Sequence, residues 1–219
     1  MRRISRTNLG NIVIPLPPIQ QQRRIADYLD RKCSQIDAII ARQQEVIEKL
    51  KAYKLSVITE AVTKGLNPHA PMKDSGVEWI GEIPEEWKIC KIKQLADQNE
   101  ENSFVDGDWI ESPYIMDSGI RYLTTGNIGD GVFKEQGNGF ISLRTFEKLS
   151  CKYAFPGDLI FSRLNAPYGR SCILPSDFTE YVVAVDNVIL RTQEDKRYIC
   201  YVSQCDGYKQ AVDDEAKGT

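Results

Sequence analysis

The 219-residue sequence is poor in the side chains that most enzymes use for proton transfer and metal binding. It contains one histidine, His69, and six cysteines that lie far apart with no C-x-x-C pair. Zinc sites usually show paired ligands at short spacing, so these cysteines are better explained as free thiols in a reducing compartment. The sequence also lacks an apolar run approaching about 20 residues, and its basic N-terminus lacks the apolar stretch of a signal peptide. We therefore expect a cytoplasmic protein without a membrane segment.

Catalytic motifs are missing as well. There is no Walker A loop, and "GNIGDG" reverses the glycine order of the dinucleotide fingerprint, so we interpret it as a hairpin turn. No G-x-S-x-G elbow occurs. Asp177 and Glu180 in "PSDFTEYV" are a conceivable metal pair, but no lysine follows that would steady an attacking water. The sequence therefore gives no support for catalysis and predicts a protein without a cofactor of its own.

The net charge of −3 is distributed unevenly along the chain. Residues 1–64 carry 12 Lys+Arg against 6 Asp+Glu, whereas residues 65–219 carry 16 against 25. Such an asymmetry indicates two parts with different partners.

From Gln20 onward, two rows of mostly apolar residues repeat every seven positions. The first row is Leu29, Ile36, Leu50 and Val57, interrupted by Gln43; the second is Cys33, Ile40, Ile47 and Ala61, interrupted by Lys54. The rows interleave at spacings of four and three, which is the a/d pattern of a coiled coil. A helix over residues 20–64 would be about 68 Å long, too long to pack on a small core, and so it needs a second helix beside it. The alternative is a helix that lies across its own domain.

The rest of the chain contains short apolar runs separated by turn residues. "IVIPL" at 12–16 predicts a strand that Pro17-Pro18 ends, and Gly65 ends the helix. Runs such as "EWKICKIKQL", "IRYLTTGNI", "GDLIFSRL" and "NVILRT" predict strands, with short helices at "RTFEKLSCK" and "YICYVSQCDGYKQAV". We predict an α+β fold with a strand segment at 1–18, a long helix at 19–65, a linker at 66–76 and a strand-rich mixed α/β domain at 77–219.

Several of these stretches resemble the DNA-specificity subunit of type I restriction-modification systems. "IPLPPIQQQRRIADYLDRKCSQID" and "LKAYKLSVITEAVTKGL" are similar to the spacer helix of that family, and "DSGVEWIGEIPEEWKICKI" is similar to the opening of its target-recognition domain. "YLTTGNI", "FPGDLIFSR" and "AVDNVIL" resemble strands inside that domain. Family members usually contain two recognition domains and two helices, whereas this sequence contains one of each.

The resemblance implies a non-catalytic subunit that reads one half of a bipartite site in double-stranded DNA. It also implies that type I methyltransferase subunits dock on this chain and that nuclease-translocase subunits can join them. The methyl donor and ATP would then belong to those partners.

A single heptad helix without a partner in its own chain predicts an antiparallel homodimer through Leu29, Cys33, Ile36, Ile40, Ile47, Leu50 and Val57. Antiparallel pairing would place residues 1–18 of one copy beside the recognition domain of the other, where we expect them to complete that domain. The DNA target would then be a palindrome split by a spacer.

Two polar segments are candidates for contact with base edges. The first contains Thr124, Thr125, Asn127, Lys134 and Gln136, and the second contains Arg163, Asn165, Tyr168 and Arg170. Arg163 and Arg170 suit guanine, and Asn127 or Asn165 suits adenine. The alternative is that Thr125 and Asn127 only shape a turn and that Arg163 pairs with Asp158. A different function also stays open: a coiled-coil adaptor or decoy that binds methyltransferase subunits without reading DNA.

Overall fold

The computed structural model describes residues 3–216, which divide after Tyr53 into two compact units. The first unit begins with a short helix, α1 (Arg6–Gly10), whose start is capped by the Ser5 hydroxyl. Residues 12–18 follow without regular secondary structure. The strand predicted at 12–16 is therefore wrong for the single chain, because this segment has no neighbouring strand with which to pair. Met1, Arg2 and residues 217–219 of the predicted segments lie outside the described residues.

The long helix α2 extends from Ile19 to Lys64, as the sequence predicts. It begins directly after Pro17-Pro18, and it ends at Gly65, which adopts the left-handed conformation (φ 76°) that stops many helices. The side chains of both heptad rows are exposed except for Ala61, which is half-buried. Leu29, Ile36, Ile40, Ile47, Leu50 and Val57 are 44–61% exposed, and Cys33 is exposed too. None of the helices in the described part of the chain is long and apolar enough to cross a membrane.

Up to Ala216, where the described residues end, the second unit contains nine short strands in three sheets. A two-stranded sheet pairs β1 (Met72–Asp74) with β2 (Glu82–Pro84). A four-stranded sheet has the order β3-β9-β6-β7, and a three-stranded sheet has the order β5-β4-β8. Their strands are β3 (Phe104–Asp106), β4 (Ile120–Leu123), β5 (Phe140–Ile141), β6 (Leu159–Ser162), β7 (Ser171–Ile173), β8 (Tyr181–Val183) and β9 (Asn187–Leu190).

The remaining elements are short helices. They are α3 (Leu143–Leu149), α4 (Lys196–Val202) and α5 (Asp206–Glu215), with 3-10 turns at Ile92–Leu95, Ser112–Tyr114 and Thr125–Asn127. The strand expected in "EWKICKIKQL" is wrong, since that stretch contains the first of these turns. The predicted linker 66–76 is also partly folded, because β1 lies inside it. "GNIGDG" does form a hairpin turn, in which the Gly129 amide donates to the Val132 carbonyl over 2.9 Å.

The hydrophobic core joins the two larger sheets. Leu123 from β4, Ile160 from β6, Val183 from β8 and Ile189 from β9 are fully buried in one cluster. Strands of both sheets therefore position the turns that follow β4 and β6.

A buried ion pair stabilises the same unit. The Arg191 guanidinium, just after β9, lies 3.1 Å from an oxygen of Asp158, and both side chains are 8% exposed. Arg191 also donates to the carbonyls of Glu101 and Tyr153 over 3.0 and 2.7 Å. This arginine thus joins three segments that are distant in sequence.

We expect Arg191→Met to destabilise the second unit by about 3–5 kcal/mol, because it leaves a buried carboxylate without its cation. Thermal unfolding followed by circular dichroism measures the change. Arg197→Met is the matched control: Arg197 is 79% exposed and pairs with Asp195 on the surface, so its loss should leave the unfolding midpoint unchanged. Equal shifts in the two variants would contradict the assigned role of Arg191.

Candidate nucleic-acid interface

The structure brings together the two polar segments that the sequence singled out. The turn Thr125–Asn127 follows β4, and the loop 163–170 connects β6 to β7. The Arg170 guanidinium donates to the Thr125 carbonyl over 2.9 Å, and the Asn165 amide lies 3.5 Å from the Thr125 hydroxyl. About 40 residues of sequence separate these partners. The two segments therefore form one surface; we call them the β4 loop (residues 124–136) and the β6 loop (residues 163–170).

Several of the predicted contact residues are accessible on this surface. Thr124, Lys134, Gln136 and Asn165 are exposed, and Thr125 is half-buried. The Gln136 side chain lies over Gly126, where an added Cβ would come within 3.0 Å of its amide oxygen. Amide, hydroxyl and ammonium groups of this kind donate to and accept from base edges and phosphates.

Asn127 is buried, and its side chain is already in use. Its amide oxygen accepts from the Thr124 backbone N–H over 2.9 Å, and its amide nitrogen donates to the carbonyls of Lys134 and Gln136 over 3.0 and 2.7 Å. This geometry favours the alternative in which Asn127 shapes the turn rather than contacting adenine.

Arg170 is 9% exposed, and all three of its nitrogens donate to backbone carbonyls. The carbonyls belong to both loops: Thr125, Ile128, Leu164, Asn165 and Pro167. A guanine contact by Arg170 would require these bonds to break. The geometry therefore indicates that this side chain supports the two loops and does not lie at their surface.

Arg163 is accessible but engaged. Its guanidinium is 51% exposed, donates to the Val185 carbonyl over 2.7 Å and lies 3.3 Å from a carboxylate oxygen of Asp106. The pairing of Arg163 with Asp158 that we considered is wrong, because Asp158 pairs with Arg191. An exposed ion pair is weak and exchanges readily, so Arg163 remains available to a ligand.

Tyr168 is half-buried beside the C-terminal helix α5. It lines a cavity of about 310 Å³ together with Phe104, Tyr208 and Val212. The next residue, Gly169, has a φ of 72°, and an added Cβ would lie 2.9 Å from the Tyr208 hydroxyl. That hydroxyl donates to the Gly169 carbonyl over 3.0 Å, so α5 supports the end of the β6 loop.

Arg121 is a supporting residue that the sequence analysis missed. It lies on β4, is 1% exposed, and donates to the carbonyls of Gln136, Gly137 and Gly139 over 2.9–3.3 Å. It also lies 3.1 Å from a carboxylate oxygen of Glu135. The signal was an arginine inside an otherwise apolar strand, which indicates a buried cation with polar partners.

Among residues 3–216, no three His, Cys, Asp or Glu side chains group closely enough to hold a metal ion. The polar groups at the surface of the two loops can bind a ligand through hydrogen bonds and through the charge of Lys134 and Arg163. The chain thus combines a long helix with exposed heptad rows and an α+β unit with a polar two-loop surface.

Comparisons with known proteins show what this chain is similar to. The chain is 27% identical over 216 residues to the type I restriction enzyme MjaVIII specificity subunit of Methanocaldococcus jannaschii, an alignment that covers 95% of this chain and 48% of that protein. It is 36% identical over 89 residues to the putative type I restriction enzyme MjaX specificity subunit of the same organism, covering 41% and 19% of the two chains. Over 63 residues it is 33% identical to the EcoBI specificity subunit of Escherichia coli, covering 29% and 13%. No family model matches the chain.

The fold agrees with these relationships. The crystal structure of the HsdS subunit from Thermoanaerobacter tengcongensis superposes on the whole chain with a TM-score of 0.52 at 16% identity and is matched over 48% of its own length. The chain thus spans about half the length of the MjaVIII subunit and of this structure. The resemblance noted in the sequence is confirmed: the chain is related to the specificity subunits of type I restriction enzymes.

We expect Asn127→Ala to loosen the β4 loop, because it removes the side chain that joins Thr124 to Lys134 and Gln136. Losing these bonds should cost about 1–3 kcal/mol of local stability. Hydrogen exchange at the Lys134 amide, which donates to the Asn127 carbonyl, should therefore become roughly 5- to 150-fold faster.

Asn138→Ala, at an exposed position of the same stretch, serves as the control and should leave these rates unchanged. Unchanged exchange in Asn127→Ala would show that Asn127 does not hold the loop.

Proposed function

We propose that this chain is the non-catalytic DNA-reading subunit of a type I restriction-modification complex, in which it reads one half of a bipartite site and docks methyltransferase and nuclease subunits. The observation that carries the proposal is the meeting of the β4 and β6 loops at one surface. Polar side chains from two distant parts of the sequence are there presented together, as base recognition requires.

The relationship to named specificity subunits supports the proposal, because the aligned region includes both loops and most of α2. The exposed heptad rows support it as well. An α2 that packs only on its own domain would hide these residues, whereas a helix that pairs with another chain exposes them in the single chain.

The distribution of charge explains how an acidic domain is compatible with this role. Residues 97–117 contain seven Asp and Glu and no Lys or Arg, so the rest of 65–219 is within about two charges of neutral. This acidic segment includes β3, which pairs with β9 at one edge of the four-stranded sheet. This edge adjoins the β6 loop, since Asp106 pairs with Arg163. We infer that the methyltransferase subunits supply most of the phosphate neutralisation.

The assembly we propose is an antiparallel homodimer through α2, which reads a palindrome split by a spacer. Ile12, Val13, Ile14 and Leu16 are 62–94% exposed, and this segment forms no strand of its own. We propose that it packs on the recognition domain of the second copy, where a neighbouring strand edge would supply its missing backbone partners.

A binding experiment tests the proposed function. A library of randomised duplexes is offered to the chain alone and to the chain assembled with its methyltransferase subunits, and the bound DNA is sequenced. At physiological salt we expect a bipartite consensus with the assembled complex and none with the chain alone, because the acidic domain binds phosphate weakly.

Two other outcomes are informative. Enrichment of a sequence by the chain alone would overturn the role given to the partners. An assembled complex that enriches no sequence would favour the adaptor or decoy, a function with which the acidic segment 97–117 is compatible.

A second test concerns the dimer. Replacing both Ile40 and Ile47 with Asp places charges in the proposed seam and should convert the dimer to a monomer in sedimentation. Replacing Ala38 and Ala52 with Asp adds the same charges at positions outside the two rows and should leave the dimer intact.

Thiol labelling gives an independent readout of the dimer. Cys33 lies in a heptad row and Cys90 lies in the second unit, and both are exposed in the single chain. In the wild-type dimer Cys33 should react slowly and Cys90 quickly, whereas in the Asp variant both should react quickly. Cys172 should stay unreactive in all variants, because burial raises the pKa of its thiol to about 12. A wild-type chain that sediments as a monomer with Cys33 freely reactive would refute the seam.

A further inference from the structure

The guanidinium of Arg170 is the point where the two loops are joined. Its Nε donates to the Ile128 carbonyl over 2.6 Å and its Nη2 to the Thr125 carbonyl over 2.9 Å, both in the β4 loop. Its Nη1 donates to the carbonyls of Asn165 and Pro167 in the β6 loop, the latter over 3.0 Å. One side chain therefore fixes the distance between two backbone segments.

These bonds depend on the shape of arginine as well as on its charge. Within residues 3–216 no carboxylate lies within ion-pair distance of Arg170, so its buried charge is stabilised by carbonyl dipoles. A planar fork of five N–H groups reaches acceptors on several sides at once, whereas a lysine ammonium is a compact point charge on a flexible stem. Lysine therefore retains the charge of Arg170 but not its geometry.

The exposed side chains lie on the backbone that Arg170 holds. Asn165 has a φ of 62°, a left-handed conformation, and its carbonyl is one of the Arg170 acceptors. Its side-chain amide lies beside the hydroxyl of Thr125, whose own carbonyl is another acceptor. The positions of these two side chains relative to each other thus depend on a residue that is itself buried.

The contacts of Arg170 are connected to further hydrogen bonds within the β4 loop. Asn127 lies between Thr125 and Ile128, both of which Arg170 binds, and donates to the Gln136 carbonyl. That carbonyl also accepts from Arg121 over 3.3 Å. Hydrogen bonds, together with the backbone of residues 125–128, therefore connect Arg121 and Asn127 to Arg170 and the β6 loop.

We infer that Arg170 is a positioning residue that sets DNA specificity without touching DNA, by locking the β4 and β6 loops into one recognition element. The inference rests on the proposed function. In this arrangement Thr124, Gln136 and Asn165 contact the DNA, and the buried Arg170 fixes the distances between them.

The test uses the chain assembled with its methyltransferase subunits and the randomised duplex library. Four variants are compared with the wild type: Arg170→Met, Arg170→Lys, Asn165→Ala and Thr124→Ala. Asn165→Ala and Thr124→Ala should each weaken the base preference at a different subset of consensus positions. Arg170→Met and Arg170→Lys should each weaken the base preference at both subsets of positions.

Salt dependence separates this role from a phosphate contact. If Arg170 bound a phosphate, Arg170→Met would lower the slope of log Kd against log salt by about 0.9, and Arg170→Lys would restore it. For a positioning residue we expect the slope to be unchanged in both variants. Arg197→Met removes one exposed positive charge elsewhere and controls for net charge.

Each outcome decides the inference. If Arg170→Met weakens the base preference at a single position, Arg170 contacts that base directly and the inference is wrong. The inference is also wrong if Arg170→Lys keeps the wild-type consensus. If the wild-type complex enriches no sequence at all, the proposed function fails, which is distinguishable from failure of the inference alone.

A second measurement covers the case in which the Arg170 variants fail to fold. Asn127→Ala removes no bond of the β6 loop, but it perturbs the turn that Arg170 holds. We expect hydrogen exchange at the Gly169 amide, which donates to the Ser162 carbonyl, to become faster in Asn127→Ala as well. Acceleration confined to the β4 loop would show that the two loops move independently, and the inference would be wrong.

Discussion

The surface formed by the β4 and β6 loops depends on a buried guanidinium that is solvated by backbone carbonyls. Removing a cation from water is costly unless its donors are satisfied, and Arg170 meets this requirement by binding carbonyls from two loops. The same need that keeps the arginine bonded keeps the loops together. Arg121 and Arg191 follow the same rule elsewhere in the domain, each joining segments that are distant in sequence. Irregular loops are thereby held in one arrangement without a regular ladder of hydrogen bonds.

The need to satisfy these buried donors divides the residues into two groups. One group fixes the backbone of the loops, and the other can contact a ligand. Arg121, Arg170, Arg191 and Asn127 are buried and hydrogen-bonded, whereas Thr124, Lys134, Gln136 and Asn165 are exposed. Exposed side chains on a fixed backbone can be exchanged with little effect on stability, because few contacts within the domain depend on them. In the proposed function, such a design lets the bases that are read change while the fold is kept.

The helix α2 poses the opposite problem, since its heptad rows have too few contacts within the chain. Its apolar side chains are about half exposed, and only an equally long partner can cover both rows along their length. In the proposed function, the acidity of residues 65–219 likewise suits a complex in which other subunits bind the phosphates. Affinity and specificity would then come from different chains, as is physically reasonable when phosphate contacts carry most of the binding energy and base contacts carry the sequence information.

The sequence by itself determined the elements whose pattern is local. The heptads, Pro17-Pro18 and Gly65 are sufficient to predict α2, and the apolar runs predict β4, β6 and β9, because periodicity and turn residues act within a few positions. The segment 12–16 has a strand composition but forms no strand, since pairing requires a neighbour that composition does not supply. The different roles of Arg163 and Arg170 could not be predicted from the sequence either, because both are arginines in one polar loop. Tertiary structure decided that Arg163 lies at the surface beside Asp106 and that Arg170 lies beneath it, because burial and hydrogen-bond partners depend on segments about 40 residues away.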